Sequence, residues 1–286
     1  MQAVAIIGPG RVGTALWLAL RDRCRLVGAA GGSRASQELF LRRTGVAVAP
    51  AAAPLCRAAD WVFLTVPDRA VAPLAAELGA AGAFHAGQVV AHTAGALPSA
   101  VLGPALESGA EILALHPMQS FAEPERGLAL FQGVTCSIEG TPAARRAGAD
   151  LAEVLGMRPW QVEAEDKPRL HAACSLASNA LVALLALAAR TAAASDSRDD
   201  RQRALEALLP LSRGSLENLA RLGLPKALTG PVERGDAETV QTHLDLLAGD
   251  ADDAYRVLGL VALDLAMEKG SLGPDDAALL RTMLRR

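Results

Sequence analysis

Lysine is almost missing from this chain. Only Lys167, Lys226 and Lys269 occur, against 25 arginines. Arginine therefore serves as generic surface charge, and each retained lysine is a candidate for work that needs a compact cation with a tunable pKa. Aromatic residues are scarce too, at 3% of 286, so a core drawn from the 51% hydrophobic share must be filled by alanine, leucine and valine. Cys24, Cys56, Cys136 and Cys174 are scattered and form no C-x-x-C. That spacing excludes a disulfide framework and a zinc site, and it suits the reducing cytoplasm. A net charge of −3 gives no electrostatic footprint for nucleic acid. Met1 runs directly into the first predicted strand, so no secretory leader is expected. One apolar run, Ala172 to Ala189, approaches the roughly 20 residues that cross a bilayer. Cys174, Ser175, Ser178 and Asn179 interrupt it, and a helix buried on all sides in a soluble assembly is the expectation, with no membrane partner.

What is present begins at the N-terminus. Val4 to Ile7 reads as a buried strand, Gly8-Pro9-Gly10-Arg11-Val12-Gly13 follows, and Thr14 to Leu20 reads as a helix. Strand, G-x-G-x-x-G, helix is the dinucleotide-binding arrangement. Gly8 permits the tight turn, Gly10 the approach of a pyrophosphate, and Gly13 close packing of helix on strand. The helix start then offers its free N–H groups to the phosphates. Arg25 to Ala30 is the next strand. An NAD site places Asp or Glu at its end; here Gly31-Gly32-Ser33-Arg34 stands instead. A hydroxyl and a guanidinium suit a 2′-phosphate, so NADP(H) is the expected cofactor.

Further strands are predicted at Val46–Val48, Asp60–Val66, Gln88–Ala91, Ile112–Leu115, Gly133–Ile138 and Met157–Val162, with helices between them. Thr141-Pro142 opens the helix before the last strand, with Thr141 as N-cap. Open parallel sheets bind ligands at the carboxyl ends of their strands. Val66, Pro67 and Asp68, His92 and Thr93, and His116 all stand at such ends. The alternation stops near residue 162, and the remainder reads as helices. The expected architecture is α/β: a doubly wound parallel Rossmann sheet over residues 1–162, then an all-helical substrate and dimerisation domain over 163–286. A single long helix is expected from Lys167 to about Ala194. Lys167, His171 and Ser178 fall on one stripe of it at spacings of four and seven, with Asn179 beside them. A hydride-transfer enzyme needs a donor to polarise a carbonyl or imine and to protonate the product, a role open to Lys167, His171, Asn179 and His116. The loop Ala227 to Asp236 either closes over a site or rigidly connects helices.

Taken together, Gly8–Gly13, Val66-Pro67-Asp68, His92-Thr93-Ala94-Gly95, His116-Pro117-Met118-Gln119, Lys167 through Asn179, and Ala227 through Asp236 resemble a family of Rossmann-like oxidoreductases with a helical C-terminal domain of uncharacterised function. These are relatives of pyrroline-5-carboxylate reductase and of deazaflavin-dependent NADP oxidoreductases. The resemblance implies NADP binding, a small-molecule substrate and a homodimer built through the helical domains. Some members are similar to an alternative ketopantoate reductase, implying reduction of a 2-keto acid, with Lys167 and Asn179 matching the lysine and asparagine such reductases use. The resemblance would place a serine where Ala94 stands, so that hydroxyl is missing. Reduction of a cyclic imine and cofactor sensing without turnover are the alternatives.

Overall fold

The computed structural model describes residues 2–285. It divides into two compact units, the first ending at Ser175 and the second beginning at Leu176. The division thus falls beyond the expected 162/163, because the helical segment carrying Lys167 buries that residue completely and belongs with the sheet.

The first unit follows the predicted alternation. In order come β1 (Ala3–Ile7), α1 (Arg11–Leu20), β2 (Arg25–Ala30), α2 (Arg34–Thr44), α3 (Ala53–Arg57), β3 (Trp61–Leu64) and α4 (Asp68–Ala80). Then follow β4 (Val89–His92), α5 (Gly103–Glu107), β5 (Glu111–Pro117), β6 (Thr135–Gly140), α6 (Pro142–Val154), β7 (Arg158–Gln161) and α7 (Lys167–Ser175). The seven strands form one sheet in the order β2-β1-β3-β4-β5-β6-β7. All pairs are parallel except β5–β6, which is antiparallel with His116 opposite Ser137. The sheet is therefore mostly rather than wholly parallel. Val46–Val48 does not form a strand; only Ala49 makes an isolated bridge, to Ala30. Helix α3 carries Pro54 in its first turn, where a missing N–H costs nothing.

Strand periodicity sorts the core into two layers. Val4, Ile6, Trp61 and Phe63 face one cluster with Leu16, Trp17 and Phe40. Ala5, Ile7, Val62 and Leu64 face the other with Val71, Leu78 and Leu102. Both faces are covered, so the central strands read as continuous apolar runs. Thr141 occupies the N-cap of α6, but its side chain makes no cap. Its hydroxyl donates instead to Glu111, on the strand where β5 begins.

The second unit opens on a π-helical turn, Leu176–Ala180, followed by α8 (Leu181–Ala192), α9 (Arg198–Leu222), α10 (Ala237–Leu246), α11 (Asp250–Lys269) and α12 (Pro274–Leu284). The single long helix expected to Ala194 is thus interrupted by a π-turn and ends at Ala192. Within the single chain it is largely uncovered: Leu176 is 71% and Val182 69% exposed. The physical reason is a small core. One cluster around Val240, Leu263 and Leu280 joins α10, α11 and α12, while α9 has no buried residue along its length. The loop after α9 is hydrogen-bonded to the helices beside it. Lys269 Nζ donates to the Leu228 carbonyl at 3.0 Å and to Glu233 Oε1 at 2.8 Å, and Asp236 caps α10 by accepting from the Thr239 N–H at 3.0 Å.

Candidate functional site

The glycine turn has the geometry its spacing predicts. At Gly8, φ is +112°, and a Cβ would lie 2.7 Å from the Thr65 carbonyl. Thr65 Oγ1 in turn donates to the Gly8 carbonyl at 2.7 Å, locking β1 to the end of β3. A Cβ on Gly13 would come within 2.2 Å of the Gly8 oxygen and 2.6 Å of Thr65 Oγ1. Gly10 differs from both. Its backbone is extended, and an added Cβ would meet nothing nearer than the Thr65 carbonyl at 4.0 Å. The fold itself does not require glycine there. A Cβ-sized space above a helix start with free N–H groups fits a pyrophosphate, so the residues present fit a dinucleotide.

From this turn a groove of about 580 Å³ runs past Gly31, Gly32, Ala52, Val66, Pro73 and Leu74. Gly31 and Gly32 adopt φ of +83° and +80°, and a Cβ on Gly32 would strike Pro9. Ser33 caps α2 by accepting from the Ser36 N–H. Arg34 is exposed and paired with Glu38 at 3.0 Å, a competitor one helical turn away that the reading of Ser33-Arg34 overlooked. Exposed pairs of this kind contribute little, so the guanidinium stays available for another anion.

On the other side of the turn lies a smaller pocket of about 210 Å³, lined by Val12, Asp68, Thr93, Gly95, His116, Gln119, Phe121 and His171 among others. It brings together the ends of β4 and β5, the start of α4 and the first helical turns after β7. The His116 and His171 rings meet edge to face at 5.7 Å. Gly95 lies against both; a Cβ there would fall 2.2 Å from His171 Nδ1 and 3.0 Å from His116 Cε1. Gly95 and Gln119 were legible only as parts of their motifs, while Phe121 carried no signal. Arg11 is exposed at the start of α1, and Pro67 caps α4.

His92 is placed differently from expectation. It is fully buried, and it does not line the pocket. The Ala94 N–H donates to His92 Nδ1 at 3.2 Å, and Nε2 lies 3.2 Å from the Pro98 carbonyl. The first contact makes Nδ1 an acceptor, so the proton sits on Nε2 and the ring is neutral. Burial pushes its pKa down to about 4, opposed by the Pro98 hydrogen bond and assisted by the charges of Lys167 and His116. His92 therefore fixes the loop that presents Thr93 and Gly95. Burial likewise pushes His116 down to about 4, helped by the charges of Lys167 and His171.

Lys167 is completely enclosed, and its Nζ has no hydrogen-bond partner; Ser137 Oγ is a second buried orphan. Burial lowers the Lys167 pKa, against the opposing pull of Glu139, Cys136 and Asp68. The amine does not line the pocket, contrary to the expectation that it faces the substrate. Asn179 lies in the second unit, exposed within the π-turn. The turn's extra residue breaks the spacing on which the stripe with Ser178 rested.

Comparison with known proteins adds to this geometry. Protein TM1727 from Thermotoga maritima is similar over 93% of this chain and 99% of its own, at 22% identity and a TM-score of 0.67. The Bacteroides fragilis protein BF3122, assigned as an NADP oxidoreductase, covers 93% and 97% at 21% identity, TM-score 0.66. Pyrroline carboxylate reductase from Plasmodium falciparum, solved with NADP bound, covers 94% and 97% at 13% identity, TM-score 0.60. No curated protein matches. Residues 1–117 match the model of a Rossmann-like domain, and residues 134–261 that of a domain of unknown function, DUF2520. The chain thus matches a Rossmann-like domain over its first part and a DUF2520 domain over most of the rest.

Proposed function

We propose that the chain is an NADP(H)-dependent oxidoreductase acting on a small carbonyl compound, in the first instance a 2-keto acid such as ketopantoate. The observation that carries this reading is the small pocket at the ends of β4 and β5, beside a helix start whose Gly10 leaves room for phosphate. NADPH, when bound, supplies the hydride. The N–H groups at the start of α1 hold the pyrophosphate, and Ser33 and Arg34 take the 2′-phosphate. Val66, Pro67, Asp68 and Thr93 flank the nicotinamide side. His116, His171 and the Gln119 amide donate hydrogen bonds to the carbonyl oxygen and stabilise the charge that develops on it. His171, which is exposed, exchanges protons with water and returns one to the product oxygen. Lys167 acts as a positioning residue, its charge holding His116 neutral.

A second reading, reduction of a C=N bond, is favoured by the pocket's charge. Asp68 lines it and no lysine or arginine does, which suits a cationic iminium. Such a substrate arrives protonated and needs no acid from His171. The pyrroline carboxylate reductase among the similar structures acts on this class. Exposed apolar residues on α8 and α9, Val182, Leu211 and Leu216 among them, support the expectation of a homodimer, which light scattering tests.

Calorimetric titration with NADPH and NADH, followed by turnover on ketopantoate and on pyrroline-5-carboxylate, tests the reading. Tighter NADPH binding with turnover of either substrate supports it, and the substrate turned over chooses between the two. Failure to bind either nucleotide refutes it.

A further inference from the structure

Among the described residues the chain's single tyrosine, Tyr255, faces a cavity far from any role in hydride transfer. The cavity lies wholly within the second unit, holds about 490 Å³, and is walled by Leu187 of α8, Leu208 of α9, Val232 of the connecting loop, His243 of α10, and Tyr255 and Leu258 of α11. That size is in the range of small-molecule sites, which combine apolar walls with few polar groups. Thr229 and Thr191 also line it, the latter's hydroxyl donating to the Leu187 carbonyl, and the remaining polar groups form a pair. His243 Nδ1 lies 2.8 Å from the Tyr255 hydroxyl, with the rings edge to face at 5.5 Å.

The pair has a property that does not depend on the tautomer. With the imidazole proton on Nε2, the tyrosine O–H donates to Nδ1 and the Nε2–H is left over. With the proton on Nδ1, it donates to the tyrosine oxygen, and the phenolic O–H is left over. Either way one donor remains for a ligand acceptor. The loop that supplies Leu228 and Val232 to the lining is tied to the end of α11, where Lys269 donates to the Leu228 carbonyl and the Glu233 carboxylate. We infer that this cavity is a second ligand site, taking a compact apolar molecule that carries one carbonyl acceptor, with the His243–Tyr255 pair as its reader.

Acetophenone is a probe with that chemistry, and ethylbenzene is its match without the acceptor. In calorimetric titration of the full chain, acetophenone is expected to bind once per chain and at least threefold more tightly than ethylbenzene. Tyr255→Phe is expected to shrink that ratio. Ala262→Leu fills the cavity and is expected to weaken both probes at least tenfold; Ala188→Leu repeats the test from α8 should the first variant melt early. The inference is overturned if neither probe saturates at millimolar concentration, or if both filling variants bind as the parent does. NADPH titration of the same samples reads the first unit separately, so either site can fail alone.

Discussion

Two glycines one helical turn apart make opposite predictions. A methyl group on Gly13 would press on the Gly8 carbonyl, which is backbone and itself held by Thr65. Overpacking costs about 1–3 kcal/mol, and a rigid obstacle at 2.2 Å puts Gly13→Ala at the upper end. For a unit of this size, about 2–4 °C of Tm per kcal/mol gives a fall of roughly 6–12 °C. Gly10→Ala meets open space in an extended backbone, so its stability is expected to stay within about 1 kcal/mol of the parent. The methyl would instead occupy the place assigned to the pyrophosphate. A loss of tenfold or more in NADPH affinity, about 1.4 kcal/mol, is expected from calorimetry. Thermal melts followed by circular dichroism supply the other half. Should Gly10→Ala bind NADPH like the parent while remaining folded, the phosphates do not lie over α1 and the assignment of the pocket falls with it.

Other perturbations test other links. His92 and His116, lowered from 6.5 to about 4, stabilise the fold fully above pH 6.5 and progressively less as pH falls toward 4. Each is expected to cost roughly 1.3 kcal/mol between pH 7.5 and 5.5, and a urea titration in which His92→Gln retains the full pH dependence would contradict this. Burial lowers the Lys167 pKa on folding, so the protein carries a penalty that is fully present below the folded pKa and disappears as pH rises to 10.5. Lys167→Met is therefore expected to melt no lower than the parent at pH 7, while the pH profile of turnover shifts as His116 loses its neighbour; an unchanged profile denies Lys167 its positioning role. Glu38→Gln frees Arg34 and is expected to tighten NADPH severalfold with NADH unaffected, whereas Arg34→Ala does the reverse. Lys269→Ala is expected to speed hydrogen exchange over residues 228–235, and unchanged exchange would mean the loop is held by packing alone.

The first unit was legible because its signals are local. β2 has the predicted bounds, and the alternation at Trp61–Leu64 that reads as a buried strand sends its side chains to two different cores. Direction was not legible: nothing in Thr135–Gly140 distinguishes an antiparallel neighbour of β5 from a parallel one. A place on the small pocket was legible for Thr93, His116 and His171, which follow strand ends or occupy a motif. It failed for His92 and Lys167, because an imidazole or amine in a sequence does not show whether tertiary packing will enclose it. The helical stripe failed for a geometric reason. A π-turn inserts one residue into the 3.6 repeat, and small residues such as those at Leu176–Ala180 give no warning of it.

The antiparallel pairing of β5 with β6 has a consequence for how the chain can be divided. The Rossmann-like match ends at Pro117, the last residue of β5, and the DUF2520 match starts at Val134, just ahead of β6. The boundary between the two matches therefore falls between hydrogen-bonded neighbours of one sheet. Cut at that boundary, the first piece would bare β5 as an unprotected edge strand, and the second would carry β6 and β7 with no sheet to join. Chimeras between relatives should accordingly exchange the helices after β7 and leave the last two strands with their native sheet.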